Sequence, residues 1–132
     1  MEEKLLHLKS LKRRDKLNLM KSKIVALSKN EEFKTLLKKR KISNKYVTIF
    51  FGKLPNKDNK KLNISFSVKK KIGNAVKRNK IKRRLRNIMN NALNEISIKT
   101  EFSYLIISKK NMVDGNFLDI KETLIMDFKK IK

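Results

Sequence analysis

The chain has 132 residues, with 36 Lys or Arg against 12 Asp or Glu, one His, no Cys and a net charge of +24. Without Cys there are no disulfides, thiolate zinc sites or thiol nucleophiles, and the lone His7 rules out a site built on two imidazoles. The length suits one domain with a real core, and so large a positive charge repels itself unless a polyanion is the partner.

No apolar run approaches the roughly 18 residues that a membrane-spanning helix needs. The N-terminus, MEEKLLHLKSLKRRDK, lacks the apolar stretch of a secretory signal, and its acidic residues do not suit a transit peptide. A soluble cytoplasmic protein with no membrane partner is expected.

Residues 1–26 read as a basic N-terminal extension, helical or disordered, ahead of one domain over 27–132. Ser28 and Glu31 have capping-box spacing, and Asn30 is itself a good cap. With Phe33, Leu36 and Leu37 at helical spacing, they predict a helix over 30–41. NKYVTIFFGKL, 44–54, is β-branched and aromatic and ends at Gly52 and Pro55, so it predicts a strand. After a turn at 55–61, LNISFSVK, 62–69, alternates Leu62, Ile64, Phe66 and Val68 with polar residues, the pattern of a half-buried strand. These two strands read as an antiparallel hairpin. Gly73 breaks the pattern and Asn74 caps a helix over 75–96, with Ile81, Leu85, Ile88, Ala92 and Ile96 as its apolar stripe. FSYLIIS, 102–108, reads as a buried strand, and the strand–helix–strand order suggests a parallel crossover. Asn116 and Asp119 resemble a cap for a last helix carrying Phe117, Ile120, Leu124, Phe128 and Ile131.

Acidic residues are absent from Asn59 through Asn94, whereas Lys or Arg occupies positions 69, 70, 71, 77, 78, 80, 82, 83, 84 and 86. Ten positive residues in so short a stretch, with no acidic neighbour, are the electrostatic footprint of nucleic-acid binding. A helix N-terminus already carries partial positive charge, so bases there repel it unless an anion sits nearby.

The segment SVKKKIGNAVKRNKIKRRLRN, 67–87, is more specific than a basic patch. It closely resembles the signature region of the bacterial ribonuclease P protein component. Lys70, Lys71, Gly73, Asn74, Ala75, Val76, Arg78, Asn79, Lys82, Arg83 and Arg86 stand in register with that pattern. The resemblance runs from about Leu27 to the C-terminus, and NEEFKTLLKK, 30–39, is similar to the family's first helix. Lys80 stands where the family usually has Arg, which keeps the charge but loses the planar fork.

The resemblance implies an α+β fold, an α/β sandwich with a small sheet and three helices. The order would be α-β-β-β-α-β-α, with a left-handed βαβ crossover like that of a small-subunit ribosomal protein domain. It implies an accessory subunit of a ribonucleoprotein endoribonuclease that removes the 5′ leader of precursor tRNA. Catalysis would come from the RNA, with magnesium bound mainly by RNA, none by the protein alone, and no dinucleotide cofactor. The partners would be the catalytic RNA and precursor tRNA. Lys70, Lys71, Gly73, Asn74, Arg78, Asn79, Lys80, Lys82, Arg83 and Arg86 would hold RNA. Phe33, Leu37 and Phe50, edged by Lys70 and Lys71, would take the single-stranded leader. Leu37 occupies a position that is often aromatic, and Phe51, facing opposite to Phe50, is expected in the core.

Protein-borne catalysis lacks a candidate. Asp119 and Glu122 read as the solvated side of the last helix, and the basic region has no converging carboxylates for metal-assisted phosphoryl chemistry. The alternative is a ribosomal or ribosome-assembly RNA-binding protein, whose composition would look the same.

Overall fold

The structure, a computed structural model, describes residues 24–131. Residues 1–23, and with them His7 and most of the expected extension, lie outside that range. One five-stranded mixed sheet is sandwiched between one helix on one face and two on the other. In chain order the elements are β1 (Ile24–Val25), α1 (Asn30–Leu37), β2 (Arg40–Ser43), β3 (Val47–Gly52) and β4 (Leu62–Ser67). A 3-10 turn (Lys70–Ile72), α2 (Ala75–Glu95), β5 (Ser103–Ser108), a second 3-10 turn (Lys110–Met112) and α3 (Phe117–Lys130) follow. The α+β class, the three helices and the order β-β-β-α-β-α after α1 are as expected. Ile24 and Val25, assigned from sequence to the extension, join the sheet instead and pair with Leu62 and Asn63 of β4.

The hairpin expected between 44–54 and 62–69 does not form. The sheet order is β1-β4-β5-β3-β2, so β5 separates β3 from β4. The reason lies in β5: Tyr104, Leu105 and Ile106 are all buried, on alternating faces, and only a central strand covers both. β5 runs antiparallel to β3 and parallel to β4, so β4–α2–β5 is the parallel crossover the sequence suggests. The true hairpin partner of β3 is β2, drawn from the last turn of the expected helix and the gap after it. Pairing of Arg40–Ser43 with Thr48–Phe51 ends α1 at Leu37 instead of residue 41.

The α1 cap also differs by one residue. Lys29 is the N-cap; its N–H donates to Glu32 Oε1 at 3.2 Å, and the Glu32 N–H donates to the Lys29 carbonyl at 3.1 Å. Asn30 is the first helical residue. Glu32 is the better clasp because its carboxylate also pairs with Lys57, tying α1 to the loop after β3. Burial pushes the Glu32 carboxyl up, but the hydrogen bonds from Lys57 and from the Lys29 backbone outweigh it and hold it below the ordinary glutamate range. A carboxylate with a lowered folded pKa stabilises above its unfolded pKa and loses that contribution as pH falls through the folded value. Glu32→Gln should therefore cost about 1–2 kcal/mol at neutral pH. The gap to the parent should close as melts are taken down through the ordinary glutamate range and below.

The main core fills the space between the sheet and α2 with α3. Val47, Ile49 and Phe51 of β3, Leu62 and Ile64 of β4, and Tyr104 and Ile106 of β5 meet Ile81, Leu85, Ile88 and Met89 of α2. Ile120, Leu124, Phe128 and Ile131 complete it from the C-terminal helix. Phe117, read as part of that stripe, is instead exposed, one turn too early to reach the sheet. Asn116 caps α3 through its side-chain oxygen, which accepts from the Leu118 N–H. Asp119 is not merely solvated: it accepts a hydrogen bond from the Tyr46 hydroxyl and pairs with Lys45 at 3.0 Å. Buried Asp127 accepts from the Asn44 amide at 2.7 Å, so the two aspartates strap α3 to the β2–β3 turn. The opposite face carries a smaller cluster of Leu27, Leu36 and Leu105, with Phe33, Phe50, Leu54 and Ile107 packed on it. That thinly covered face positions the candidate site.

Candidate nucleic-acid interface

The basic segment is built as a turn feeding a helix start. Asn74 caps α2, its Oδ1 accepting from the Lys77 N–H at 2.9 Å. Loss of such a cap costs about 1 kcal/mol, so Asn74→Ala should lower the stability of the free protein by that amount in a denaturant melt. Gly73 has extended backbone, so its role differs from a left-handed turn. A Cβ there would lie 3.1 Å from both Cβ and Cδ of Lys77, so glycine lets the Lys77 stem lie against the turn.

Ile81 and Leu85 turn inward and leave the bases of the same turns outward. Lys70, Lys71, Asn74, Asn79, Lys80 and Arg83 are exposed, and Arg78, Lys82 and Arg86 are half-buried. The ion pairs among the described residues use Lys45, Lys53, Lys57, Lys99 and Lys121, and none draws on 69–86. Arg78 Nε is buried and has no hydrogen-bond partner. Like charges at i, i+4, such as Arg78 with Lys82 and Lys82 with Arg86, weaken an isolated helix. This surface is therefore electrostatically unsatisfied and suited to phosphate, which Arg can take by a fork and Lys as a point charge.

β1 covers β4 only at Leu62 and Asn63, leaving the rest of its outer edge without a strand partner among the described residues. A cleft of about 540 Å³ opens along that edge. Phe33 of α1 stands on one side, Lys82 and Arg86 of α2 on the other, with Ser65 and Ser67 between. Phe33 and Phe50 belong to the same small cluster, half-buried, on the α1 face. Phe51, on the opposite face, is core as expected. Leu37 is 48% exposed at the end of α1 and belongs to neither the cluster nor the cleft wall. Phe50, Lys70 and Lys71 do not line this cleft either, whereas Phe66 does.

A second hollow, also of about 540 Å³, adjoins it. Lys69, Lys71, Lys109 and Lys110 ring it, with Thr48 and Ile107 on its floor. Cross-strand register joins the two hollows, because Ser67 lies opposite Ile107 and Ile107 opposite Thr48. Lys109 is fixed in place: its Nζ donates to Ser43 Oγ and to the Asn44 carbonyl, both at 2.6 Å. Lys69 counts in the basic run but not among the expected contacts, and Lys109 and Lys110 carry no expectation from the sequence. The signal is there in part, since Lys69, Lys70 and Lys71 follow β4 after Val68, and Lys109 and Lys110 directly follow β5. Only the parallel pairing of those strands shows that both lysine runs emerge at the same end of the sheet. Among the described residues no three His, Asp or Glu side chains converge.

The surface sets a helix start suited to phosphate beside a cleft lined by Phe33 and Phe66 and a hollow ringed by lysines, a combination of aromatic and cationic groups of the kind that suits single-stranded RNA. No helix among the described residues is long and apolar enough to cross a membrane. The family model for Ribonuclease P matches residues 20–132. The chain is 39% identical over 106 residues to a ribonuclease P protein component of Bacillus pumilus, covering 79% of this chain and 85% of that one. It also resembles the solved ribonuclease P protein of Staphylococcus aureus, with 26% identity, a TM-score of 0.67 and coverage of 80% and 95%. The Thermotoga maritima protein shares the fold at a TM-score of 0.69 and 24% identity, with coverage of 82% and 98%. With the signature 70–86 on a basic helix start and the family match spanning the whole described fold, the chain belongs to the Ribonuclease P protein family, the accessory subunits of a tRNA-processing endoribonuclease.

Proposed function

We propose that the chain grips the catalytic RNA of ribonuclease P with the turn and helix start 70–86, and seats the single-stranded 5′ leader of precursor tRNA in the cleft lined by Phe33, with Phe50 in the apolar cluster beside it. The observation that carries this reading is the adjacency of two different surfaces. The unpaired bases of α2 form one wall of the cleft whose other wall is Phe33. Lys82 and Arg86 thus serve both surfaces. Structured RNA is held by backbone and shape, which suits Asn74, Arg78, Asn79, Lys80 and Arg83 on the exposed helix start. The leader is held by stacking and by charge.

The protein neutralises phosphates and raises affinity for leader-bearing substrate. Hydrolysis belongs to the RNA, and magnesium is held mainly by RNA. The site of action is the cytoplasm. A cleavage assay at low magnesium tests the reading with protein alone, a bacterial ribonuclease P RNA alone, and both together. Cleavage at the mature 5′ end should require both. Unchanged RNA activity on adding protein would transfer the chain to ribosome assembly, and cleavage by protein alone would return the chemistry to its side chains.

A further inference from the structure

On the α1 face the strand register aligns one residue from each of four strands: Ser65, Leu105, Phe50 and Lys41. One step along, the next row holds Asn63, Ser103 and Gly52, and continuing the register brings in Lys39, directly before β2. Side-chain packing agrees with this register, since a Cβ on Gly52 would stand 2.9 Å from Lys39 Cγ. Glycine at 52 lets the Lys39 stem lie on the sheet. Arg40, between them, turns to the other face, where its guanidinium sits 4.9 Å from the Phe51 ring centroid. Strand alternation therefore places Lys39 and Lys41 on the same face as Phe50. Both are exposed, and neither is in an ion pair among the described residues. Lys41 lies one strand spacing, about 5 Å, beyond Phe50 at the outer edge of the sheet.

The geometry points to Lys39 and Lys41 as a separate phosphate-contact strip for the part of an RNA single strand that leaves the cleft over β2. This rests on the leader reading of the cleft. A strand entering between Phe33 and Arg86 and continuing over Ile107 and Thr48 in the second hollow reaches β2 at Ser43, with Lys41 and then Lys39 next along the same face. They lie three strands from β4, on the opposite side of the sheet from α2's cleft wall, so they form a contact distinct from 70–86. Lysines on an edge strand also keep that edge from pairing with another sheet. Charge reversal separates the two roles, because glutamate guards an edge as well as lysine does but repels phosphate.

The test uses the assembled ribonucleoprotein and precursor tRNAs whose leaders lengthen one nucleotide at a time. The Lys39→Glu/Lys41→Glu variant should bind long leaders about tenfold more weakly than the parent, with the slope of log K against log salt lower by about 1.4. Short leaders and mature tRNA should bind as before. Lys39→Gln/Lys41→Gln, which keeps an aliphatic stem over Gly52, should show the same pattern with a smaller loss. Equal loss on short leaders and mature tRNA would overturn the proposal and place these lysines on the catalytic RNA. No loss at all, with Phe33→Ala still lowering leader affinity, would leave them as edge guards and overturn it while sparing the cleft. If Phe33→Ala also spares leader affinity, the cleft reading itself falls.

Discussion

Phe33→Ala should weaken binding of leader-bearing precursor to the assembled ribonucleoprotein by about tenfold, with mature tRNA unaffected. Stacking of one base on an aromatic ring contributes about 1–3 kcal/mol, and about 1.4 kcal/mol is a factor of ten. Phe33 is placed to supply it. It is half-buried, packed on the Leu27, Leu36 and Leu105 cluster, and lines the cleft opposite Lys82 and Arg86. Packing alone would give a different result, because a loosened α1 would lower the melting temperature and weaken both substrates equally. Phe33→Leu sharpens the distinction by keeping apolar volume while removing the π face. It should restore most of the melting temperature but little of the leader affinity. Equal loss for both substrates would make Phe33 a core residue.

The second large effect lies on α2. Arg78→Ala with Arg83→Ala should weaken binding to the catalytic RNA by about ten- to a hundredfold near physiological salt. The slope of log K against log salt should fall by nearly one unit for each lost phosphate contact. Arg83 is exposed and Arg78 half-buried with an unpartnered Nε, and neither is neutralised by an acid among the described ion pairs. Removing them costs the protein no ion pair seen in the fold, so the free protein should melt close to the parent. Arg83→Lys should recover the slope but only part of the affinity, because it restores the charge without the fork. Lys80 is the chain's own version of that exchange, and Lys80→Arg should tighten binding. A slope unchanged by the double substitution would remove both residues from the phosphate contacts.

Local chemistry was legible in the sequence wherever the signal was local. Asn74 caps α2 as its position predicts, and the stripe Ile81, Leu85, Ile88 and Ala92 is buried. Phe50 and Phe51 divide between two faces as alternation requires. Pairing was legible only where element order dictates it, as in the parallel crossover from β4 to β5. A strand's pattern says which face is buried but not which neighbour it has. The hairpin of β3 with β4 therefore looked natural until β5, buried on both faces, took the place between them. The same limit hid Lys109 and Lys110, which join Lys69 and Lys71 only through the parallel register of β4 and β5. Asp119 reads as solvated from sequence for a related reason: its partner, Tyr46, lies more than seventy residues away in the chain. The signature 70–86 was legible because its residues stay close together in the chain, so no long-range pairing is needed to assemble them.

The most direct measurement is photo-crosslinking of the leader in the assembled ribonucleoprotein, with a photoreactive base at each leader position in turn and the modified peptides mapped. Crosslinks are expected at Phe33 and the Ser65–Ser67 edge of β4 from bases near the cleavage site, and at β2 from bases farther out. Crosslinks confined to α3, or to the exposed face of α2 away from the cleft, would contradict the leader reading of the cleft.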